Sequence, residues 1–388
     1  MPDTIKKRIS LTLACLLALA VFTGCGATQQ VEAPAETAQT SPAPVDDSVA
    51  WAYYPMETAF AGGDGSAQNP YQVANAGQLA FMAYLFSEDG YWDKEHDVLK
   101  HYSGAHFIQT SDIVINNGSA DGWPSAAPEY AWLPIGSREF DGVYDGNGFT
   151  VNGLYLYAEE GGYPSETGMF GSVNGGTLRN VVLLDSYLFS NASHAGAIAG
   201  QVMNSVVEGC RSNAVLEGSA ADGMNAAGGL VGSALSGSLK NCVFEGSLCS
   251  DATYVGGIAG SLSRSIAVDC NNSGSVEATD GFAYAGGIVG GVSSNGEATL
   301  ENCSNSGKVI FAGAYTGGIA GDLSVSAYTD LLDPEAPEAP GSITLKGCMN
   351  TGSVTGSESS GSVGGIAGLF SCFGGELLSH MTMENCEN

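Results

Sequence analysis

An all-β fold, a right-handed parallel β-helix built from coils of about thirty residues, is what this 388-residue sequence predicts, and three features predict it. A glycine-flanked aliphatic motif recurs as GAIAG at 196, GGLVG at 228, GGIAG at 256, GGIVG at 286, GGIAG at 317 and GGIAG at 364. A second motif falls in the intervals: EGCRSNAVLEG, KNCVFEGSL, DCNNSGSV, ENCSNSGKV, KGCMNTGSV and ENCEN, with Cys210, Cys242, Cys270, Cys303, Cys348 and Cys386 in one column. The composition supplies the third, with 56 glycines, 44% apolar residues and 12 Lys and Arg in all, which favours strands and turns over helices. A two-part unit repeated about six times, at spacings of 32, 28, 30, 31 and 47 residues, is the mark of a solenoid.

Taken from the N-terminus, residues 1–24 read as a signal segment: Lys6, Lys7 and Arg8 precede an apolar run, Ile9 to Phe22, that is short for a membrane span. The run ends in FTGC, which resembles the lipobox of bacterial lipoproteins. That resemblance implies cleavage before Cys25, a lipid on its thiol and attachment to the membrane through that lipid. Residues 25–50 are rich in Ala, Pro, Thr, Gln and acid, and are expected to be an unfolded tether because they hold almost no large apolar side chain. Without residues 1–24 the chain carries 9 Lys and Arg against 40 Asp and Glu, a formal net charge of −31. Such a surface repels nucleic acid and anionic headgroups, which excludes both as partners of the folded body.

Residues 51–165 are expected to hold an N-terminal cap and the first coils. Asn75 and Gln78 form a near capping-box start, and Leu79, Met82 and Phe86 share one face of a short helix with Leu85 beside it, suited to covering an open coil edge. Residues 166–388 hold the repeats, with TGMFGS at 167–172 a degenerate earlier copy. The aliphatic column Ile198, Leu230, Ile258, Ile288, Ile319 and Ile366 is expected to be an internal ladder. Glycines two residues to either side allow the opposite wall or a tight bend to approach. Asn241, Asn302 and Asn385 are expected to stack as amides along the axis. The segment at 329–341, rich in Pro and acid, is an inserted surface loop, and the last repeat, stopping at ENCEN, reads as incomplete.

These units resemble the GLUG repeats of bacterial surface proteins. The upstream stretches NPYQVANAGQLAFMAYL at 69–85, IQTSDIVI at 108–115 and WLPIGSREFDGVYDGNGFTVNGLYL at 132–156 are similar to the start of such solenoids. The resemblance runs from about residue 60 to the C-terminus and implies a cell-surface solenoid; it carries no single activity and no mechanism.

A search for chemistry leaves little. YVGGIAG lacks the G-x-G-x-x-G spacing and a following helix, and no G-K-[ST] loop exists, so no nucleotide cofactor is expected. One cysteine per coil with parallel side chains suits a buried thiol ladder better than disulfides, and no paired C-x-x-C offers a zinc site. HDVLKH at 96–101 is not HExxH, and DGVYDGNG at 141–148 lacks the ligands of a calcium loop, so a tight turn is expected there and no metal. Acids are scattered, and Arg179, Arg211, Lys240, Arg264, Lys308 and Lys346 read as solvated decoration, so no catalytic set can be named. Tyr254, Tyr284 and Tyr315 share one repeat position and form a candidate binding strip. Counted along a strand they fall on the side of the aliphatic ladder unless the glycine pair turns the chain, which favours packing over binding. The expected function is therefore a lipid-anchored, extracytoplasmic, non-catalytic module that binds or adheres to a polysaccharide or protein. The alternatives are a polysaccharide-active β-helix lyase or hydrolase, and a structural stalk.

Overall fold

The aliphatic column sets the shape of every coil. In the computed structural model, which describes residues 52–158, 165–218, 225–294, 296–311, 315–326, 341–356, 361–373 and 379–388, Ile198, Leu230, Ile258, Ile288 and Ile319 are fully buried and Ile366 packs against the same core. The chain is a parallel β-solenoid of about 7 turns with about 32 residues per turn and 7% helix, as the repeat spacing predicts. Residues 1–51, with Cys25 and the tether, and residues 329–340 of the insertion lie outside the described residues.

The coil that starts at Tyr254 shows the plan. Strands Tyr254–Gly256, Ala259–Ser263, Ile266–Val268, Asn271–Asn272 and Ser275–Ala278 belong to five walls, first to fifth in chain order. Each strand pairs in parallel with its equivalents in the coils before and after it, so like positions stack on like: Tyr254 on Tyr284, Val276 on Val309, Asn272 on Asn305. Among the described residues the walls hold seven, seven, ten, eight and seven strands.

The glycines of the motif do separate jobs. A Cβ on Gly256 would stand 2.0 Å from the carbonyl oxygen of Ala259, and one on Gly260 would stand 2.7 Å from the backbone nitrogen of Ala227, so the bend between the first two walls closes only without side chains. Gly257 instead faces the fourth wall, where its Cβ would meet Cγ of Asn272 at 2.6 Å; Gly229, Gly287 and Gly318 meet Phe244, Asn305 and Asn350 in the same way. The coil whose fourth wall carries the smaller Ser212 has Ala197 at this place.

An amide ladder exists, but not where the sequence reading placed it. Asn241, Asn302 and Asn385 occupy left-handed turns with φ of 53°, 52° and 51°, and their side chains are exposed. Asn tolerates that conformation, and the turn residue of the column faces water, so the amides have no need of one another. The ladder lies two residues after the last four cysteines of the column: Nδ2 of Asn272 donates to Oδ1 of Asn305 at 2.8 Å, Asn305 to Asn350 at 2.8 Å, and Asn350 to Asn388 at 2.7 Å. Asn272 and Asn305 also accept from the backbone N–H two residues on, at 3.0 and 3.2 Å. The cysteines of the second motif are free, five of them buried, and each thiol donates to carbonyls such as Lys240 O at 3.3 Å for Cys242. The thiol of the neighbouring coil, with burial, pushes the pKa of Cys242, Cys270, Cys303 and Cys348 upward, which keeps them protonated and inert.

On the third wall the charged residues are ordered. Asp145, Arg179, Glu208, Lys240, Val268, Glu301, Lys346 and Glu384 form one column in register, alternating in sign wherever charge is present. Arg179 Nε lies 2.8 Å from Asp145 and Lys346 Nζ 2.8 Å from Glu301. Like charges stacked in neighbouring coils would repel, so the alternation favours this register. Arg179, Lys240 and Lys346 are therefore more than solvated decoration.

Helix α1, Ala76–Leu85, closes the first coil as predicted. Asn75 Oδ1 accepts from Gln78 N at 3.0 Å, Gln78 Oε1 accepts from Ala74 N at 2.8 Å, and Leu79, Met82, Leu85 and Phe86 are buried. Two further single-turn helices, α2 (Glu88–Tyr91) and α3 (Val98–His101), lie outside the sequence reading. Phe86 and Phe140 with ring centres 4.9 Å apart, then Phe140 and Phe170 at 5.3 Å, continue an aromatic core from the cap into the coils. Among the described residues no helix is long and apolar enough to cross a membrane.

Candidate ligand-binding corner

The glycine pair does turn the chain, and that decides where the tyrosines point. Val255 is fully buried in the core, so Tyr254 stands on the outer side of the first wall and is half-buried, as are Tyr284 and Tyr315. Their rings stack with centres 5.3 and 5.4 Å apart and planes inclined by 20° and 10°. What half-buries them is the second wall, folded back by the sharp bend. The Cβ position of Gly291 lies 2.3 Å from Cδ1 of Tyr254, so the ring of one coil rests on the second-wall residue of the next. The two outer columns thus meet in a concave corner: Glu166, His194, Ala226, Tyr254, Tyr284, Tyr315 and Ser362 on one side, and Gln201, Ser233, Ser261, Gly291, Asp322 and Leu369 on the other.

Asp322 is the residue that the sequence reading missed. By register it follows Gly291, so it lies where the ring of Tyr284 comes down, and it is 4% exposed. Oδ2 accepts from the Ser324 hydroxyl at 2.7 Å, while Oδ1 is buried with no hydrogen-bond partner. Burial raises its carboxyl pKa against the opposing pulls of the Ser324 hydroxyl and, less strongly, the Leu323 backbone N–H. Burial also raises the phenol pKa of Tyr254 and Tyr284, and the Asp322 charge adds to both. The signal was in the motif itself: the residue after the last glycine is Gln, Ser, Ser, Gly or Leu in the other copies and Asp in the fifth, GGIAGD.

At the other end of the corner His194 Nδ1 lies 3.8 Å from Glu166 Oε1, and the imidazole is the main influence lowering the Glu166 carboxyl pKa. Glu166 and Asp322 are the acids of these two columns. Rings rest one coil ahead, so the two acids are separated by four coils, about 19 Å at about 4.8 Å per coil. Paired-carboxylate hydrolysis needs the two groups within about 10 Å, so this corner does not supply it.

Two other features line the surface. A second aromatic column on the fifth wall stacks Tyr155 on Tyr187 at 5.8 Å and Tyr157 on Phe189 at 4.7 Å, but Trp123 covers its buried part. In the cap, a cavity of about 500 Å³ opens between Tyr53, Tyr54, Ala80, Tyr84, Trp132 and Leu133, with Glu88 and Asp89 among its lining. Glu88 is already engaged by Arg138 at 2.8 Å and by Trp92 Nε1 at 2.8 Å.

The remaining sequence candidates take structural places. His96 Nδ1 lies 2.6 Å from Asp93, which also accepts from the Tyr84 hydroxyl at 3.0 Å and from Glu95 N at 2.8 Å, while His101 ends α3 and His106 begins a strand. Asp145 Oδ1 accepts from Asn147 N at 2.8 Å within a tight turn. Among the described residues no three His, Cys, Asp or Glu side chains stand close enough to hold a metal ion.

No family model matches the chain. It is 28% identical over 148 residues to a protein of Evansella cellulosilytica named "Putative Gly-rich membrane protein"; the match takes in 37% of this chain and 14% of that relative's length. A crystal structure described as a "putative immunoglobulin A1 protease" from Bacteroides ovatus superposes with a TM-score of 0.53 over 85% of this chain and 87% of the other, at 19% identity. At that identity the likeness is one of fold.

Proposed function

We propose that the chain is a surface-exposed, lipid-anchored β-solenoid of the bacterial envelope that works as a non-catalytic binding or adhesion module for a polysaccharide or protein, with the tyrosine corner as its binding face. The outward stack of Tyr254, Tyr284 and Tyr315 carries this reading: three aligned aromatic rings in a concave corner offer a rigid amphipathic surface with little conformational entropy to lose. The GLUG-like repeats, the lipobox ending in Cys25 and the membrane naming of the Evansella relative support the location. The acidic balance favours a neutral or basic partner. Binding of the full chain to glycan arrays and to host-matrix proteins tests it. Binding that falls at least about tenfold when all three tyrosines become alanine is expected. Turnover of a polysaccharide without stable binding would overturn it.

A further inference from the structure

We propose that the tyrosine corner is a lysine-binding site, in which Asp322 receives the ε-ammonium group of a protein partner and the rings of Tyr284 and Tyr315 hold its methylene stem. The inference rests on the binding reading above and narrows it to one ligand chemistry. Its basis is a buried carboxylate oxygen without a hydrogen bond, set beside columns that satisfy themselves. The Asn ladder and the thiol ladder pair along the axis or with carbonyls. Asp322, by contrast, is buried with no hydrogen bond closed at Oδ1, the Leu323 N–H exerting only a lesser pull on the carboxyl, while its other oxygen is occupied by Ser324. A buried carboxylate oxygen left without a donor is costly, so a donor brought by a ligand gains what the fold forgoes.

The surroundings select the kind of donor. A cation is favoured over a neutral group by the carboxylate and by the formal charge of −29 on the whole chain. The neighbours of Asp322 in its column are Gly291, which has no side chain, and Leu369, which is apolar. By register the Tyr284 ring comes down on it from the first wall, so a ligand reaches Oδ1 only as that ring moves aside, between an aromatic face and the aliphatic one of Leu369. A lysine fits these walls, because its slender stem packs on apolar surface while its compact head makes a charge-assisted hydrogen bond and a cation–π contact. A planar guanidinium pairs best with a two-pronged acceptor, and one prong of Asp322 is already taken.

The test uses the full chain and the capped peptide acetyl-Gly-Lys-Gly-amide, which carries one positive charge and so limits non-specific attraction. Tyrosine ring and aspartate carboxyl resonances are followed during titration, with the Nε-acetyl-lysine form of the peptide and a Gly-Arg-Gly form alongside. The expected result is a saturable shift at Tyr284 and Asp322 with the lysine peptide and none with its acetylated form. Asp322→Asn, which keeps the shape, is expected to weaken binding about tenfold or more, the loss of one charge-assisted bond. Glu208→Gln, the same change of charge on the exposed third wall, is expected to leave it unchanged. Equal affinity in the wild type and in Asp322→Asn, or no saturable shift at either residue, overturns the proposal. If the lysine peptide fails while the full chain still binds matrix proteins or glycans through its tyrosines, the broader reading stands and the lysine assignment falls; the reverse pattern leaves the lysine site and removes the adhesion role.

Discussion

The fourth wall and the corner between the first two walls are built by the same device, one polar or aromatic side chain per coil, and they reach opposite states. On the fourth wall Asn272, Asn305 and Asn350 are buried and hand a hydrogen bond from coil to coil. In the corner the second-wall column runs Ser261, Gly291, Asp322 and Leu369, and Asp322 is buried with an oxygen unanswered. An amide repeated in register satisfies itself, because it is both donor and acceptor. A carboxylate is an acceptor only and cannot be satisfied by repetition. Uniform columns therefore satisfy themselves, and the departure from uniformity leaves an acceptor that the fold does not answer.

Breaking the uniform wall is expected to cost most. Gly287→Val places a side chain 2.3 Å from both the Gly318 carbonyl and Asn305 Cγ, and a loss of about 3 kcal/mol or more is expected in urea unfolding. Asn305→Leu removes the middle rung and leaves Asn272 Nδ2 and Asn350 Oδ1 without each other's relay, so a loss of about 2–3 kcal/mol is expected in the same measurement. The corner is expected to respond in the opposite sense. Asp322→Leu, which matches Leu369 in the next coil, is expected to raise stability by about 1–2 kcal/mol, because it removes a buried charge with an unmet acceptor. The pH dependence sharpens this. The folded carboxyl pKa of Asp322 is raised by burial, so its ionisation opposes folding above that pKa and the penalty fades as pH falls through it. The stability gap between Asp322→Leu and wild type is expected to shrink on acidification, read from melting temperatures across a pH series. The smallest effect is expected on the third wall: Lys346→Glu sets three acids in sequence with Glu301 and Glu384, and its slight destabilisation is expected to vanish in high salt.

Much of the solenoid was legible because its signal is repeated: the spacing gave the coil length, the aliphatic column gave the core, and Asn75 with Leu79 and Met82 gave the cap helix. The amide ladder was misplaced by three residues, since Asn before Cys and Asn after it look alike until the left-handed turn at 241 and 302 is known. The orientation of Tyr254 was not legible, because counting alternate residues fails across a glycine pair that turns the strand. The charge column was readable once the copies were aligned on cysteine, and so was Asp322. Both were missed because the repeat was read for what its copies share and not for where they differ. The cap cavity leaves no such trace, because Tyr54, Tyr84 and Trp132 are brought together only by the folding of the cap.

The most direct test of this account measures two quantities on one variant. Asp322→Leu and the wild type are compared for melting temperature and for affinity to the lysine peptide. A corner kept unsatisfied for recognition requires the variant to melt higher and to lose saturable binding. A variant that melts at or below the wild type and binds the peptide equally well would contradict it.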